Sequence, residues 1–305
     1  MKIVIPDDYQ NVVRHLDAFA KLAGHDVTIY DDTVKDVEAL AERFKDADAL
    51  VLIRERTQIT DALLERLPRL KVIAQTGRGT THIDTDACTR RGIRVTTGSG
   101  SPIAPAELTW ALVMSAMRHI PDEVSGLRNG HWQSTPLGHV LRGRTLGIWG
   151  YGKIGALVAG YGRAFNMRVL IWGREGSLTR ATNDAFEVAT SRERLFAEAD
   201  VLSLHLKLSK ETRGIVTRDD LARMKPDALF VNTSRAELIE PGALLVALQA
   251  GRPGLAAIDV FEDEPATHDP LVKLPNVIAT PHLGYVEKDS YELYFGEAFD
   301  ALTEA

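Results

Sequence analysis

Short apolar runs alternate with longer mixed stretches along most of the chain, and this rhythm predicts strands alternating with helices. Lys2–Ile5, Val27–Tyr30, Ala49–Ile53, Val72–Ala74 and Ile93–Val95 are runs of strand length. Asp7–Ala23 and Val37–Phe44 lie between them with helical character, and Thr60 stands where it would cap a helix beginning at Asp61. Ala49–Ile53 is apolar at every position, as in a parallel strand covered on both faces. A second series follows, with Leu146–Trp149, Arg168–Trp172, Ala199–His205, Ala228–Asn232, Gly254–Val260 and Val277–Ala279 as strands. Asp219–Met224 and Gly242–Ala250 are short helices of that series, and Thr190 to Glu193 has capping-box spacing. Between the two series, Pro102–His119 predicts a long helix, opened by Pro102 and Pro105 and stopped by Pro121. Leu108, Trp110, Leu112, Val113, Met114 and Met117 leave that helix almost no polar face, so it is expected to be buried between domains or subunits. The pattern defines an α/β protein with parallel sheets, and 305 residues are enough for two domains.

Composition narrows the class. Hydrophobic residues make up 45% and charged residues 26%, an ordinary globular balance. A net charge of −6 argues against a nucleic-acid partner. The single cysteine, Cys88, permits neither a disulfide framework nor a thiolate metal cluster, and no metal is expected. The start of the chain has too short an apolar run for a signal peptide, and no segment approaches the ~20 apolar residues that span a bilayer. A cytoplasmic protein without a membrane partner is the expectation.

The stretch from Thr145 to Gly155 organises the second half. After the apolar run come Gly150, Gly152 and Gly155 in G-x-G-x-x-G spacing, then the small apolar residues of a helix start. Gly150 suits a tight turn, Gly152 allows backbone to approach a pyrophosphate, and Gly155 allows helix to pack on strand. The free N–H groups of Tyr151, Gly152, Lys153, Ile154 and Gly155 would face the anion. The bland alternative is a glycine-built turn.

Loops after strands carry the remaining candidates. Arg54-Glu55-Arg56-Thr57 follows one strand, and Thr76-Gly77-Arg78-Gly79 follows another, where backbone N–H groups could meet a carboxylate. Arg54 and Arg78 either take a second anionic group or are solvated. Arg235, Glu264 and His282 follow three later strands. An arginine clamps a carboxylate and polarises a carbonyl, a histidine moves the hydroxyl proton, and a carboxylate holds the imidazolium. Each has a structural alternative as a helix contact, an acidic turn or a capping residue.

These segments together resemble the D-isomer-specific 2-hydroxyacid dehydrogenases, over nearly the whole chain. The resemblance rests on Thr76–Gly79 with Ile83-Asp84, Ala106-Glu107, Gly143–Gly155, Ala199–Leu206, Asn232–Arg235, Ala257–Pro265 and Thr280–His282. It implies that Arg235 binds substrate, Glu264 supports the histidine and His282 is the acid/base. It implies contact of Asp259 with the nicotinamide carboxamide, of Thr233 with cofactor, and of the Arg78 and Gly79 backbone with the substrate carboxylate. Arg54 joins that substrate-binding set. The implied architecture is two Rossmann-like doubly wound domains with the active site in the cleft between them. Residues 1–100 with 282–305 would form a flavodoxin-like substrate domain, and 101–281 the dinucleotide-binding domain. A homodimer is implied, acting on a small 2-oxo or 2-hydroxy acid with NAD or NADP. A non-catalytic dinucleotide sensor resembling corepressors and a formate dehydrogenase on the same scaffold are the rival readings.

The sequence departs from the family in places. NAD-selective folds carry an acidic residue about 20 residues past the glycines, where this chain has Gly173 followed by Arg174. That pattern points to NADP(H), unless Glu175 turns inward to the ribose or Arg174 lies on the adenine. Thr81, Leu108 and Lys207 stand where the family often has Asp, His and Pro.

Overall fold

The computed structural model describes residues 1–303, and the chain divides into two compact units. The first comprises Met1–Ser101 and the chain from Val286 onward, and the second is Pro102–Tyr285.

The first unit is built on β1 (Lys2–Ile5), β2 (Asp26–Ile29), β3 (Ala49–Leu52), β4 (Val72–Gln75) and β5 (Arg94–Thr97). They form one parallel sheet in the order β2-β1-β3-β4-β5, so the direction of winding reverses between β1 and β3. β3 and β4 are buried at every position, because both faces are covered. One face packs Phe44, Leu63 and Leu64 against Val4, Leu50, Leu52 and Ile73. The helix Val37–Phe44 is capped by Asp36, whose carboxylate accepts the Ala39 N–H at 2.9 Å, and Thr60 caps its helix through the Leu63 N–H at 3.3 Å. Toward its end the chain supplies the helix Lys288–Thr303, which buries Tyr291, Tyr294, Phe295 and Phe299.

The expected helix over Asp7–Ala23 is not formed. The segment makes two short 3-10 turns, Val13–His15 and Asp17–Leu22. Asp7 and Asn11 adopt left-handed backbone, at φ 66° and 51°. The Asp8 carboxylate takes the Val13 N–H at 2.9 Å, and Glu292 takes the N–H groups of Asp17 and Ala18 at 2.7 and 3.0 Å. Side chains thus claim donors that a helix would have used internally, and one of those side chains lies some 275 residues away.

The second unit contains β6 (Thr145–Trp149), β7 (Arg168–Trp172), β8 (Glu187–Val188), β9 (Val201–Leu204), β10 (Leu229–Asn232), β11 (Leu255–Ile258) and β12 (Val277–Ala279). All pair in parallel, in the order β12-β11-β10-β9-β6-β7-β8. The winding reverses between β6 and β9, and ligands of such sheets sit beyond the strand carboxyl ends at that reversal. The glycine loop follows β6 directly.

The long helix runs Ile103–Met117 and is buried on one side only within its unit, through Ala106, Thr109, Leu112, Val113, Ala116 and Met117. Pro121 does not stop it. His119 turns the chain with left-handed backbone at φ 51°, and Pro121 lies in the first turn of a new helix, Ile120–Arg128. Proline is tolerated there because a first-turn N–H has no helical partner to lose. The cap in the Thr190 region is Ser191, one residue later than expected, with its hydroxyl accepting the Arg194 N–H at 3.2 Å. The full capping box of this unit is instead Thr217 with Asp220.

Candidate active site

The glycine loop is shaped for close approach. Gly150 has φ 104°, and a Cβ there would strike the carbonyl of His205 after β9. A Cβ at Gly155 would run into the Gly150 carbonyl, so only glycine lets the helix Lys153–Ala164 sit this close to the loop. Gly152 is the N-cap of that helix, and a Cβ there would meet open space, the face a pyrophosphate would need. The N–H groups of Lys153, Ile154 and Gly155 open the helix without carbonyls four residues back to bond. This is an anion-binding helix start. Tyr151 contributes its backbone. Its ring packs on Phe186, and its hydroxyl donates to Asp184 at 2.6 Å. Burial, reinforced by Asp184, pushes that phenol up to about 12.

Gly173, at the end of β7, approaches the loop closely enough that a Cβ there would touch Gly150 Cα at 3.9 Å. Arg174 is the N-cap of the helix Glu175–Asn183, with Glu175 in its first turn. Arg180 on the same helix donates to the Tyr151 carbonyl at 2.9 Å and to the Ser177 hydroxyl at 3.2 Å. This second cation beside the loop was not apparent in the sequence, because the helix that carries it was not predicted.

Three further loops gather the candidate chemistry of the second unit. After β10, Asn232 is buried and folds its own loop. Its amide donates to the Arg235 carbonyl at 2.8 Å, and its oxygen accepts the Ser234 N–H at 3.0 Å. The Ser234 hydroxyl ties the loop to the Leu204 carbonyl at 2.7 Å. Thr233 bonds Thr109 of the long helix at 2.7 Å, and Thr109 bonds the Pro105 carbonyl at 2.7 Å. Arg235 is thereby presented from an anchored turn.

His282 follows β12 with φ 53°, and its Nδ1 lies 2.8 Å from Glu264 Oε2. The other Glu264 oxygen accepts the Phe261 N–H at 3.0 Å. Burial pushes the Glu264 carboxyl up, but His282, the Phe261 N–H and the charge of Arg235 outweigh it, so the group lies below the usual carboxylate range. An ionised carboxylate only accepts hydrogen bonds, so Nδ1 carries the donated proton and Nε2 is the nitrogen left for proton exchange. Tyr285 meets the ring edge-on at 5.4 Å.

Asp259 is fully buried at the end of β11. It accepts from the Thr280 hydroxyl at 2.6 Å and from the N–H groups of Leu283 and Gly284 at 2.7 and 2.8 Å. These bonds brace the segment on both sides of His282. Burial pushes the Asp259 carboxyl up against the pull of those donors. Asn232, Ser234 and Thr280 lie inside segments that carry the resemblance but had no role assigned from the sequence, and Tyr285 lies outside those segments.

Arg54, Arg78 and Gly79 belong to the first unit. Arg54 adopts left-handed backbone at φ 55°. Its N–H donates to Thr76 Oγ1 at 2.9 Å, and its carbonyl accepts from the Gln75 amide at 2.9 Å. Gln75 Oε1 lies 3.1 Å from His82 Nε2, so that buried ring donates through Nε2. Burial lowers His82 to about 4, which keeps it neutral. This polar core stitches the loop after β3 to the loop after β4. Arg78 is exposed. No group of His, Cys, Asp and Glu suited to a metal occurs among the described residues, and no helix there is long and apolar enough to cross a membrane.

A doubly wound parallel sheet with this glycine loop at its reversal defines a dinucleotide-binding protein, and the glycine cradle fits the cofactor. Residues 110–284 match the model of the D-isomer specific 2-hydroxyacid dehydrogenase, NAD binding domain. The chain is 36% identical over 265 residues to glyoxylate reductase of Thermococcus litoralis, covering 83% of this chain and 78% of that protein. It is 39% identical over 249 residues to D-3-phosphoglycerate dehydrogenase of Methanocaldococcus jannaschii, covering 81% of this chain and 47% of that protein. The chain thus spans about half the length of that relative. The solved structure of phosphoglycerate oxidoreductase from Vibrio cholerae is 55% identical, with a TM-score of 0.98, covering 100% of this chain and 98% of that one. The chain belongs to the D-isomer-specific 2-hydroxyacid dehydrogenase family, and its cofactor is a nicotinamide dinucleotide.

Proposed function

We propose that the protein transfers hydride reversibly between a nicotinamide dinucleotide and C2 of a small D-2-hydroxy acid or its 2-oxo acid. The observation that carries this reading is the Glu264–His282 pair, with Arg235 close enough for its charge to act on Glu264. When bound, the cofactor supplies or accepts the hydride at nicotinamide C4. In reduction, His282 Nε2 gives its proton to the carbonyl oxygen, which becomes the hydroxyl. Arg235 binds the carboxylate and polarises the carbonyl, and the backbone at Arg78 and Gly79 takes the carboxylate as well. Glu264 holds the ring and balances its charge. The resemblance assigns Asp259 to the nicotinamide carboxamide and Thr233 to the cofactor; Asp259 is buried beneath the loop that it braces. The sensor and formate dehydrogenase readings are not favoured.

NADP(H) is the preferred cofactor in this proposal. Gly173 offers no carboxylate to the ribose, whereas Arg174 and Arg180 offer charge to a 2′-phosphate. The assay follows absorbance at 340 nm with NADPH and then NADH against glyoxylate, hydroxypyruvate, pyruvate, a bulky aromatic 2-oxo acid and 3-phosphohydroxypyruvate. Turnover of at least one acid is expected, with higher kcat/KM for NADPH. Silence with all of them, while cofactor binds, removes the enzyme reading. Equal or better values with NADH remove the cofactor preference.

A second copy of this chain is the proposed partner. The helix Ile120–Arg128 buries none of its residues, yet it exposes Ile120, Val124 and Leu127. Trp132, Leu137 and Val140 follow at 78, 93 and 71% exposure. A monomer rarely leaves so many large apolar groups together in water. Sedimentation is expected to give a dimer that Trp132→Asp with Leu137→Asp turns into a monomer. A monomeric wild-type protein contradicts this assignment.

A further inference from the structure

The first unit holds an anionic side chain in the very loop that the proposed function gives to the substrate carboxylate. A Cβ built at Gly79 would run into the Glu55 carboxylate, with Glu55 Cδ and Cγ only 3.1 and 3.6 Å away. The carboxylate therefore lies directly on the Gly79 backbone. Its neighbour Arg54 lies in the same way on Gly77, where a Cβ would have Arg54 Cζ at 3.2 Å. The next residue, Arg56, is turned to other work. It donates to the Asp7 carbonyl at 2.6 Å and stacks on Tyr9 at 4.2 Å. The loop after β4 is thus met by one cation and one anion, and Arg78 adds a single exposed charge.

We propose that Glu55 is a specificity-determining residue that restricts the substrate to a 2-oxo acid with one anionic group. The proposal rests on the reading of Arg78 and Gly79 as the carboxylate holders. Arg54 and Arg78 against Glu55 leave a net charge near one positive unit, which a single substrate carboxylate neutralises. A phosphate on the same substrate adds between one and two further negative charges. Arg56 is held by the Asp7 carbonyl and the Tyr9 ring, so with Glu55 half-buried at Gly79 the charge of Arg54 and Arg78 is too small to balance them. Repulsion between like charges a few ångströms apart is strong where protein partly excludes water. This answers the question that the sequence left open for Arg54 and Arg78, in favour of one anion rather than two.

The test is a matched pair of substrates, hydroxypyruvate and 3-phosphohydroxypyruvate, which differ only in the phosphate. The wild-type protein is expected to favour the unphosphorylated acid in kcat/KM by about a hundredfold, the order expected for a doubly charged group beside a carboxylate. Glu55→Gln keeps the shape and removes the charge. It should narrow the ratio about tenfold or more, through KM for the phosphorylated acid. Glu55→Ser should do the same without the Gln side chain, and cofactor Kd serves as the check that each variant is folded. A wild-type preference for the phosphorylated acid, or an unchanged ratio in both variants, overturns the role of Glu55 and leaves the dehydrogenase reading standing. Wild-type silence with every 2-oxo acid overturns both.

Discussion

His282→Ala is expected to lower kcat by roughly 10²–10⁴-fold, the usual contribution of a positioned general acid/base. The geometry makes the expectation specific. Glu264 engages Nδ1 at 2.8 Å, so the proton exchanged with substrate passes through Nε2, and alanine supplies no donor there. Binding of cofactor should be little changed, because the glycine loop and its helix make no use of the imidazole. The fold should also persist, since Glu264 retains the Phe261 N–H at 3.0 Å. Glu264→Gln should fall less in kcat than His282→Ala, because an amide oxygen can still hold Nδ1 while its charge is lost. Steady-state kcat with cofactor Kd measured in parallel checks this. Near-normal turnover of His282→Ala would remove the residue from the mechanism.

Asp259→Ala is expected to be the most destabilising single change near the site. The carboxylate is fully buried and is the shared acceptor for the Thr280 hydroxyl and the N–H groups of Leu283 and Gly284. Alanine leaves those donors without it. The hydroxyl can rotate to another partner, but the two amides are fixed by the backbone. At about 1–3 kcal/mol for each buried donor left unmade, the loss is on the order of 2–5 kcal/mol. Asp259→Asn should cost less, since its carbonyl can serve one or two donors while its NH2 opposes another. Both variants should also lose kcat, because the freed segment runs on either side of His282. Urea unfolding read beside kcat tests the two effects together. Stability within 1 kcal/mol of wild type for Asp259→Ala would contradict the bracing role.

Much of the architecture was legible because it depends on local signals. Val37–Phe44 carries both its apolar face and its capping Asp36, and the helix forms where the pattern put it. The glycine loop could be read because Gly150 and Gly155 each answer a backbone requirement that no other residue meets, as their contacts show. Segments failed where distant groups decide. Asp7–Ala23 has helical composition, but Glu292 takes two of its N–H groups. Pro121 looked like a terminator, yet the turn is made at His119, and proline starts the next helix.

The same division holds for the site. Residue types and their order along the chain determined the strand-and-helix alternation, the dinucleotide loop and the identity of Arg235, Glu264 and His282 as candidates. These are properties of short windows, where periodicity, glycine freedom and side-chain chemistry act without knowledge of the rest. Only the tertiary structure decided that Glu264 engages Nδ1 and leaves Nε2, that Asp259 braces the segment around His282, and that Glu55 lies on Gly79. Each of these is a contact between strand-end loops that the sheet brings side by side. A hydrogen bond or a charge contact needs a few ångströms in space, and separation along the chain carries no information about that distance until parallel strands align.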